Sequence, residues 1–153
     1  VLNYLALFIS LFLIGQVKAG PDKWVGNWKL NLLRSKFQSG PLPKSRTLGF
    51  QEIVGGFKAT SDLLDDIGIV HIEFTAKYDG RDVPMRGSQQ GSTISATRTD
   101  AFSFQTVQKT SGQVTVTTRY VVSRDGKVLS ATSSGVDPDG QKFTNISVYD
   151  KQP

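Results

Sequence analysis

From Phe102 to Tyr149 the chain reads as four consecutive segments of strand length: Phe102 to Lys109, Gln113 to Ser123, Lys127 to Val136 and Lys142 to Tyr149. The joints between them are Ser111-Gly112, Asp125-Gly126 and Asp137-Pro138-Asp139-Gly140. Ser-Gly and Asx-Gly pairs supply the positive φ that tight hairpins require, so three hairpins in series are predicted. An antiparallel meander of this length constrains the chain more than any other feature, because the remaining residues must fit around it.

Those residues are also strand-like. Trp24 to Leu32 alternates, with Trp28, Leu30 and Leu32 on one side and Asn27, Lys29 and Asn31 on the other, the pattern of a half-buried strand. The segment Ser39 to Ser45, with Pro41 and Pro43, is a loop. Strands are expected again at Arg46 to Ile53 and Phe57 to Leu63, separated by Gly55-Gly56. Val70 to Tyr78 gives the cleanest alternation: Val70, Ile72, Phe74, Ala76 and Tyr78 inward, His71, Glu73, Thr75 and Lys77 toward water. Asp79-Gly80 then turns the chain into a short strand at Val83-Pro84-Met85, where the proline demands an edge. Ser88 to Gly91 is a polar loop and Ser92 to Arg98 a further strand. No stretch of ten residues carries a helical period. About ten strands joined by tight turns predict an all-β, antiparallel up-and-down barrel of about 8–10 strands, since closure removes exposed edges. On the expected inner faces Val114, Val116, Thr118 and Tyr120, and likewise Leu129, Ala131 and Ser133, mix apolar with hydroxylated side chains. Such a lining suits a barrel that encloses a ligand space.

At the N-terminus, Leu5 to Ile14 is apolar except for Ser10, roughly ten residues against the ~20 needed to span a bilayer. Val17-Lys18-Ala19 follows, and the combination predicts a secretory signal peptide over residues 1–19 ahead of one domain at 20–153. The protein is therefore expected to be secreted or periplasmic, without stable membrane insertion after cleavage. It has 153 residues and no cysteine, so stability must come from the core rather than disulfides. The net charge of +5 is spread along the chain, which describes a solvated face and not a nucleic-acid patch.

Several short motifs carry a resemblance. Gly26-x-Trp28 on the first strand, a meander after it, and a late Arg119 placed to cover the tryptophan resemble the lipocalin and fatty-acid-binding superfamily. Gly26-Asn27-Trp28-Lys29-Leu30-Asn31, Ser35-Lys36-Phe37, Gly40-Pro41, Tyr78-Asp79-Gly80, Val83-Pro84 and Val148-Tyr149-Asp150-Lys151 are more closely similar to small exported bacterial lipocalin-like proteins of largely unassigned function. The resemblance implies a lipocalin-like barrel whose first strand meets its last.

Signatures of catalysis are not evident. His71 and Glu73 share an outward face, but no further metal ligand converges on them, and there is no nucleophile elbow for a triad. Asp137-Pro138-Asp139-Gly140 lacks the spacing and closing Glu of a calcium loop and reads as a hairpin. Arg119 alternates with Tyr120 and so points to the opposite face. An arginine outside would cap Trp28 structurally, whereas one inside would anchor a carboxylate; parity favours the first. The sequence thus predicts a noncatalytic, cofactor-free and metal-free monomer binding a small hydrophobic or amphipathic ligand through Trp28, Phe74, Tyr78, Phe104, Val116, Thr118 and Tyr120. The alternative is a protein-protein interaction or inhibitor module with a solid core, presenting the loops Gln38 to Ser45 and Ser88 to Gly91.

Overall fold

The computed structural model describes residues 20–137 and 139–153; the expected signal peptide, and Pro138 in the last hairpin, lie outside the described residues. Ten strands form one antiparallel sheet: β1 Gly26–Leu30, β2 Ser45–Ile53, β3 Gly56–Leu64, β4 Ile69–Lys77, β5 Val83–Pro84, β6 Ser92–Asp100, β7 Ser103–Thr110, β8 Gln113–Val122, β9 Val128–Val136 and β10 Lys142–Lys151. Their order is β4-β3-β2-β1-β10-β9-β8-β7-β6-β5. The first strand does meet the last, with Trp28 opposite Lys151 and Leu30 opposite Tyr149. The sheet curls until its two ends touch at Glu73 and Arg86, which exchange N–H to O bonds of 3.1 and 2.9 Å. The result is a nearly closed up-and-down barrel.

The hairpins follow the expected turn chemistry. Ser111 and Gly112 both adopt positive φ, 51° and 78°, as a two-residue turn matched to strand twist requires. One expected strand is cut short. Leu32 does not continue the inward face of Trp28 and Leu30, because Leu32–Arg34 is a 3-10 turn and Leu32 is exposed. The Asn31 side chain ends the strand by accepting the Arg34 N–H at 3.3 Å, while Ser35 Oγ donates to the Asn31 carbonyl at 2.7 Å.

Alternation determines which side chains enter the barrel, and height along the axis determines what they do there. One end holds the turns 53–56, 100–103 and 122–128 together with the start of β1 and the close of β10. It is plugged by aromatic rings. Trp24, Trp28, Phe57 and Phe104 are wholly buried; Phe104 lies 5.0 Å from Trp24, 5.1 Å from Phe57 and 4.5 Å from Tyr120, stacked on the last. Ring pairs of this kind add roughly 0.5–1.5 kcal/mol each beyond the area they bury. The opposite end, bounded by the turns 65–68, 87–91, 110–113 and 137–141, is not plugged.

The Gly-x-Trp motif has a local explanation. Gly26 sits at φ +128°, and a Cβ there would fall 2.8 Å from Lys151 Cε. The bare backbone lets the Lys151 stem cross to the plug, where its ammonium donates to the Val25 carbonyl at 2.6 Å and lies 4.7 Å from the Trp28 ring centre. Arg119 does not cover Trp28: it is exposed on the outer face, opposite Gln105 and Thr132. Lys151 takes that place, and Arg98 stacks on Trp24 and Tyr78 at 5.1 and 4.8 Å.

Glu73, outward at the seam between β4 and the residues after β5, receives Lys58 at 2.7 Å and Arg86 at 3.8 Å. The hydrogen bond and charge of Lys58, with help from Arg86, hold its carboxyl below the ordinary 4.5. A folded-state value depressed in this way gives stability that is present above pH 4.5 and is lost as pH falls through the folded value. The melting temperature of wild type should therefore exceed that of Glu73→Gln at pH 7, and the gap should close below pH 4. A gap that stays constant across an acid titration of both proteins would refute this role.

Candidate ligand cavity

Above the plug lies an interior cavity of about 270 Å³. Its walls differ. Leu48, Phe50, Ala59, Ile72, Phe74 and Ile94, from β2, β3, β4 and β6, make one side mainly apolar, with Arg46, Thr60 and Ser61 of β2 and β3 as its polar members. Thr106, Gln108, Thr118, Ser133, Ser147 and Tyr149, from β7 to β10, make the other side mainly hydroxyl and amide. Thr118 and Ser133 share a hydrogen bond of 2.9 Å across adjacent strands. Tyr120 lies at the floor, where burial pushes its phenol up to about 12 against the opposing charge of Arg46. Gly135 keeps the β8–β9 wall thin: a Cβ there would lie 2.3 Å from the Thr115 carbonyl oxygen and 3.0 Å from the Phe143 ring.

A second space of about 370 Å³ continues toward the unplugged end and shares Arg46, Val116, Ser133, Phe143, Asn145 and Ser147 with the first. The segment 37–43 crosses it, with Phe37, Pro41 and Pro43 facing in. Asn145 ties this segment down. Its Oδ1 accepts the N–H groups of Gln38 and Ser39 at 2.7 and 3.3 Å, and its Nδ2 donates to the Ser39 carbonyl at 3.0 Å. The loop is thus held across the mouth and does not project freely.

The seven residues predicted to face a ligand divide by height. Phe74, Val116, Thr118 and Tyr120 line the cavity. Trp28, Tyr78 and Phe104 point inward at the level of the plug, where the polar atoms of the first two are already engaged: Trp28 Nε1 donates to the Trp24 carbonyl at 2.8 Å, and the Tyr78 hydroxyl accepts from Trp24 Nε1 and donates to Asp22, both at 2.9 Å. His71 is outside, its Nδ1 2.5 Å from Asp62 Oδ1. Sequence reasoning passed over Arg46, which lines both spaces. The signal was present, since Arg46 shares parity with Leu48 and Phe50 on β2.

No protein-family model and no curated protein sequence matches the chain. Among solved structures it is similar to the crystal structure of secretory abundant heat soluble protein 4 from Ramazzottius varieornatus, at 14% identity over 87% of this chain and 97% of that one, with a TM-score of 0.57. At that identity the likeness is one of fold, and the fold it shares is the barrel.

Proposed function

We propose that this protein is a noncatalytic, exported barrel that holds a small amphipathic molecule in its interior. The observation that carries the reading is the cavity with one mainly apolar and one mainly hydroxyl and amide wall, set above a buried aromatic floor. A molecule with both characters satisfies both walls, whereas a wholly apolar one leaves hydroxyls without partners. At ~30 Å³ per water-sized volume, about 270 Å³ accommodates on the order of ten heavy atoms. That space weighs against the alternative of a solid scaffold. Export is the part of the proposal that rests on the N-terminal sequence; among the described residues no helix is long and apolar enough to cross a membrane.

The test is calorimetric titration with hexan-1-ol, octan-1-ol and decan-1-ol. Wild type should bind at least one with 1:1 stoichiometry. Ser133→Phe, which puts a ring at the junction of the two spaces, should weaken that binding at least about tenfold, the loss expected when one partner must be expelled (~1.4 kcal/mol per decade). Alcohols that bind wild type and Ser133→Phe equally would place them elsewhere, and no binding at all would remove the carrier reading.

A further inference from the structure

On the outside of the barrel the charges are sorted by strand. Between Phe102 and Val136 the only acid is Asp125, in the β8–β9 turn, whereas the cations are Lys109, Arg119, Arg124 and Lys127. Lys109 is paired with Asp82 at 2.8 Å. Arg119, Arg124, Lys127 and, on β10, Lys142 are exposed, and among the described residues no carboxylate lies within ion-pair distance of them. The acids that border this face, Asp100, Asp125, Asp137, Asp139 and Asp150, lie in turns or at strand ends. Three are engaged locally. Asp100 Oδ1 accepts the Phe102 N–H at 2.7 Å, Asp125 Oδ1 accepts the Ser123 hydroxyl at 2.5 Å and the Lys127 N–H at 3.1 Å, and Asp150 accepts from Asn31 at 2.8 Å and Arg34 at 3.4 Å.

Strand pairing sets the unmatched cations along β9. Arg124 and Lys127 flank its start, where Lys23 Nζ also donates to the Arg124 carbonyl at 2.8 Å. Arg119 on β8 is opposite Thr132, and Lys142 on β10 is opposite Val136. At ~3.3 Å per residue, positive charge therefore recurs about every 13 Å along the strand. Hydroxyls occupy the intervals: Thr117 is opposite Ser134, Ser134 Oγ lies 3.4 Å from Thr144 Oγ1, and Ser130 and Thr132 follow on β9. No aromatic ring is among the outward residues of these strands.

We propose that the outer face of β8, β9 and β10 binds an acidic polysaccharide laid along β9, with its carboxylates on Lys127, Arg119 and Lys142. Its sugar hydroxyls exchange hydrogen bonds with the threonine and serine rows between those cations. The threonines are stiff at χ1, so ordering them on a partner costs little entropy. The composition of the face selects this partner over other polyanions. Single-stranded nucleic acid calls for aromatic platforms and a denser run of cations, and a lipid surface calls for large apolar side chains that insert below the headgroups; the face has neither. The site lies on the outside of the wall and does not depend on what occupies the interior.

Equilibrium binding to fluorescently labelled polygalacturonate tests this, with dextran as the neutral chain and two double variants. Wild type should bind polygalacturonate at least about tenfold more tightly than dextran, and raising the salt should weaken the complex. Arg119→Gln with Lys142→Gln should lower affinity for polygalacturonate at least about tenfold. Lys77→Gln with Arg81→Gln removes the same charge from exposed positions at the β4–β5 side, five strands away from β9 around the ring, and should stay within about twofold of wild type. Absence of binding to polygalacturonate, equal binding to dextran, or an equal loss in both double variants overturns the site. So does tighter binding to oligothymidylate or to phosphatidylglycerol vesicles, which would assign the face to nucleic acid or to membrane. Alcohol titrations of both double variants should match wild type, so failure here leaves the cavity reading intact.

Discussion

Trp28→Ala should unfold this protein more readily than any other single truncation in the barrel, lowering its stability by about 3–5 kcal/mol. Trp28 is wholly buried within the core cluster, so its removal leaves a large cavity at the plugged end of the barrel. Two polar contacts go with it: the bond from Nε1 to the Trp24 carbonyl, which otherwise fixes the residues entering β1, and the ring face on which the Lys151 ammonium rests. A domain of this size has about 5–15 kcal/mol in total, so a large share of the folded population's margin depends on one side chain. Guanidinium denaturation would measure the loss directly. A change below about 1.5 kcal/mol, typical of ordinary substitutions, would mean that the plug is not what holds the closed end together.

Gly56→Ala is expected to have an effect of similar size from a single methyl group. A Cβ at Gly56 would lie 2.0 Å from the Ala76 carbonyl oxygen and 2.6 Å from Lys77 Cα. Both are backbone atoms of the neighbouring β4, and neither moves without breaking the β3–β4 ladder beside the fully buried Phe57. The loss should reach or exceed the ~3 kcal/mol end of the range for overpacking. The adjacent Gly55 provides an internal control. It has φ +75° with nothing near its missing Cβ, so Gly55→Ala incurs only left-handed backbone strain of roughly 1–2 kcal/mol. Thermal melts of the two alanine variants should therefore rank with Gly56→Ala clearly lower. The reverse order would show that the turn conformation, and not the close approach of strands, makes this pair of glycines necessary.

That contrast illustrates what was legible in the sequence. Gly55-Gly56 reads as the turn between two strands, but the turn residues are Val54 and Gly55, and Gly56 already pairs in β3 with Ile53 and Lys77; the two glycines serve different purposes, and only the three-dimensional neighbour distinguishes them. The same limit applies to the site. Period-two alternation assigns a face, and Phe74, Val116, Thr118, Tyr120, Trp28, Tyr78 and Phe104 all do point into the barrel. It says nothing about height, which is set by register across several strands and by the stagger of a tilted sheet. Hence three of the seven lie in the plug and four around the cavity. A late, basic Arg119 suggests a cover for Trp28; the cation that reaches the ring is Lys151, placed directly opposite Trp28 by the β1–β10 register. Arg46 was overlooked for a related reason. Alternation treats a charged residue among inward positions as noise, although Arg46 keeps the parity of Leu48 and Phe50 and lines both spaces.

The strand order has one more consequence. Every neighbouring pair in the sheet is also adjacent in sequence except β1 with β10, whose ladder lies in the middle of the order. The two outer members of the order, β4 and β5, are consecutive in the chain, and the seam between them carries the Glu73–Arg86 bridge, formed just after β5. Numbered from β5 onward, the ring therefore runs 5-6-7-8-9-10-1-2-3-4, a cyclic sequence without a crossover. The covalent gap between Lys151 and Gly26 and the structural gap between β4 and β5 are separate breaks in one circle. A circularly permuted chain that joined the first and cut at Asp79–Asp82 would bring the two into coincidence, making the longest-range ladder of the fold a local hairpin and lowering the loop entropy that the barrel must overcome to form.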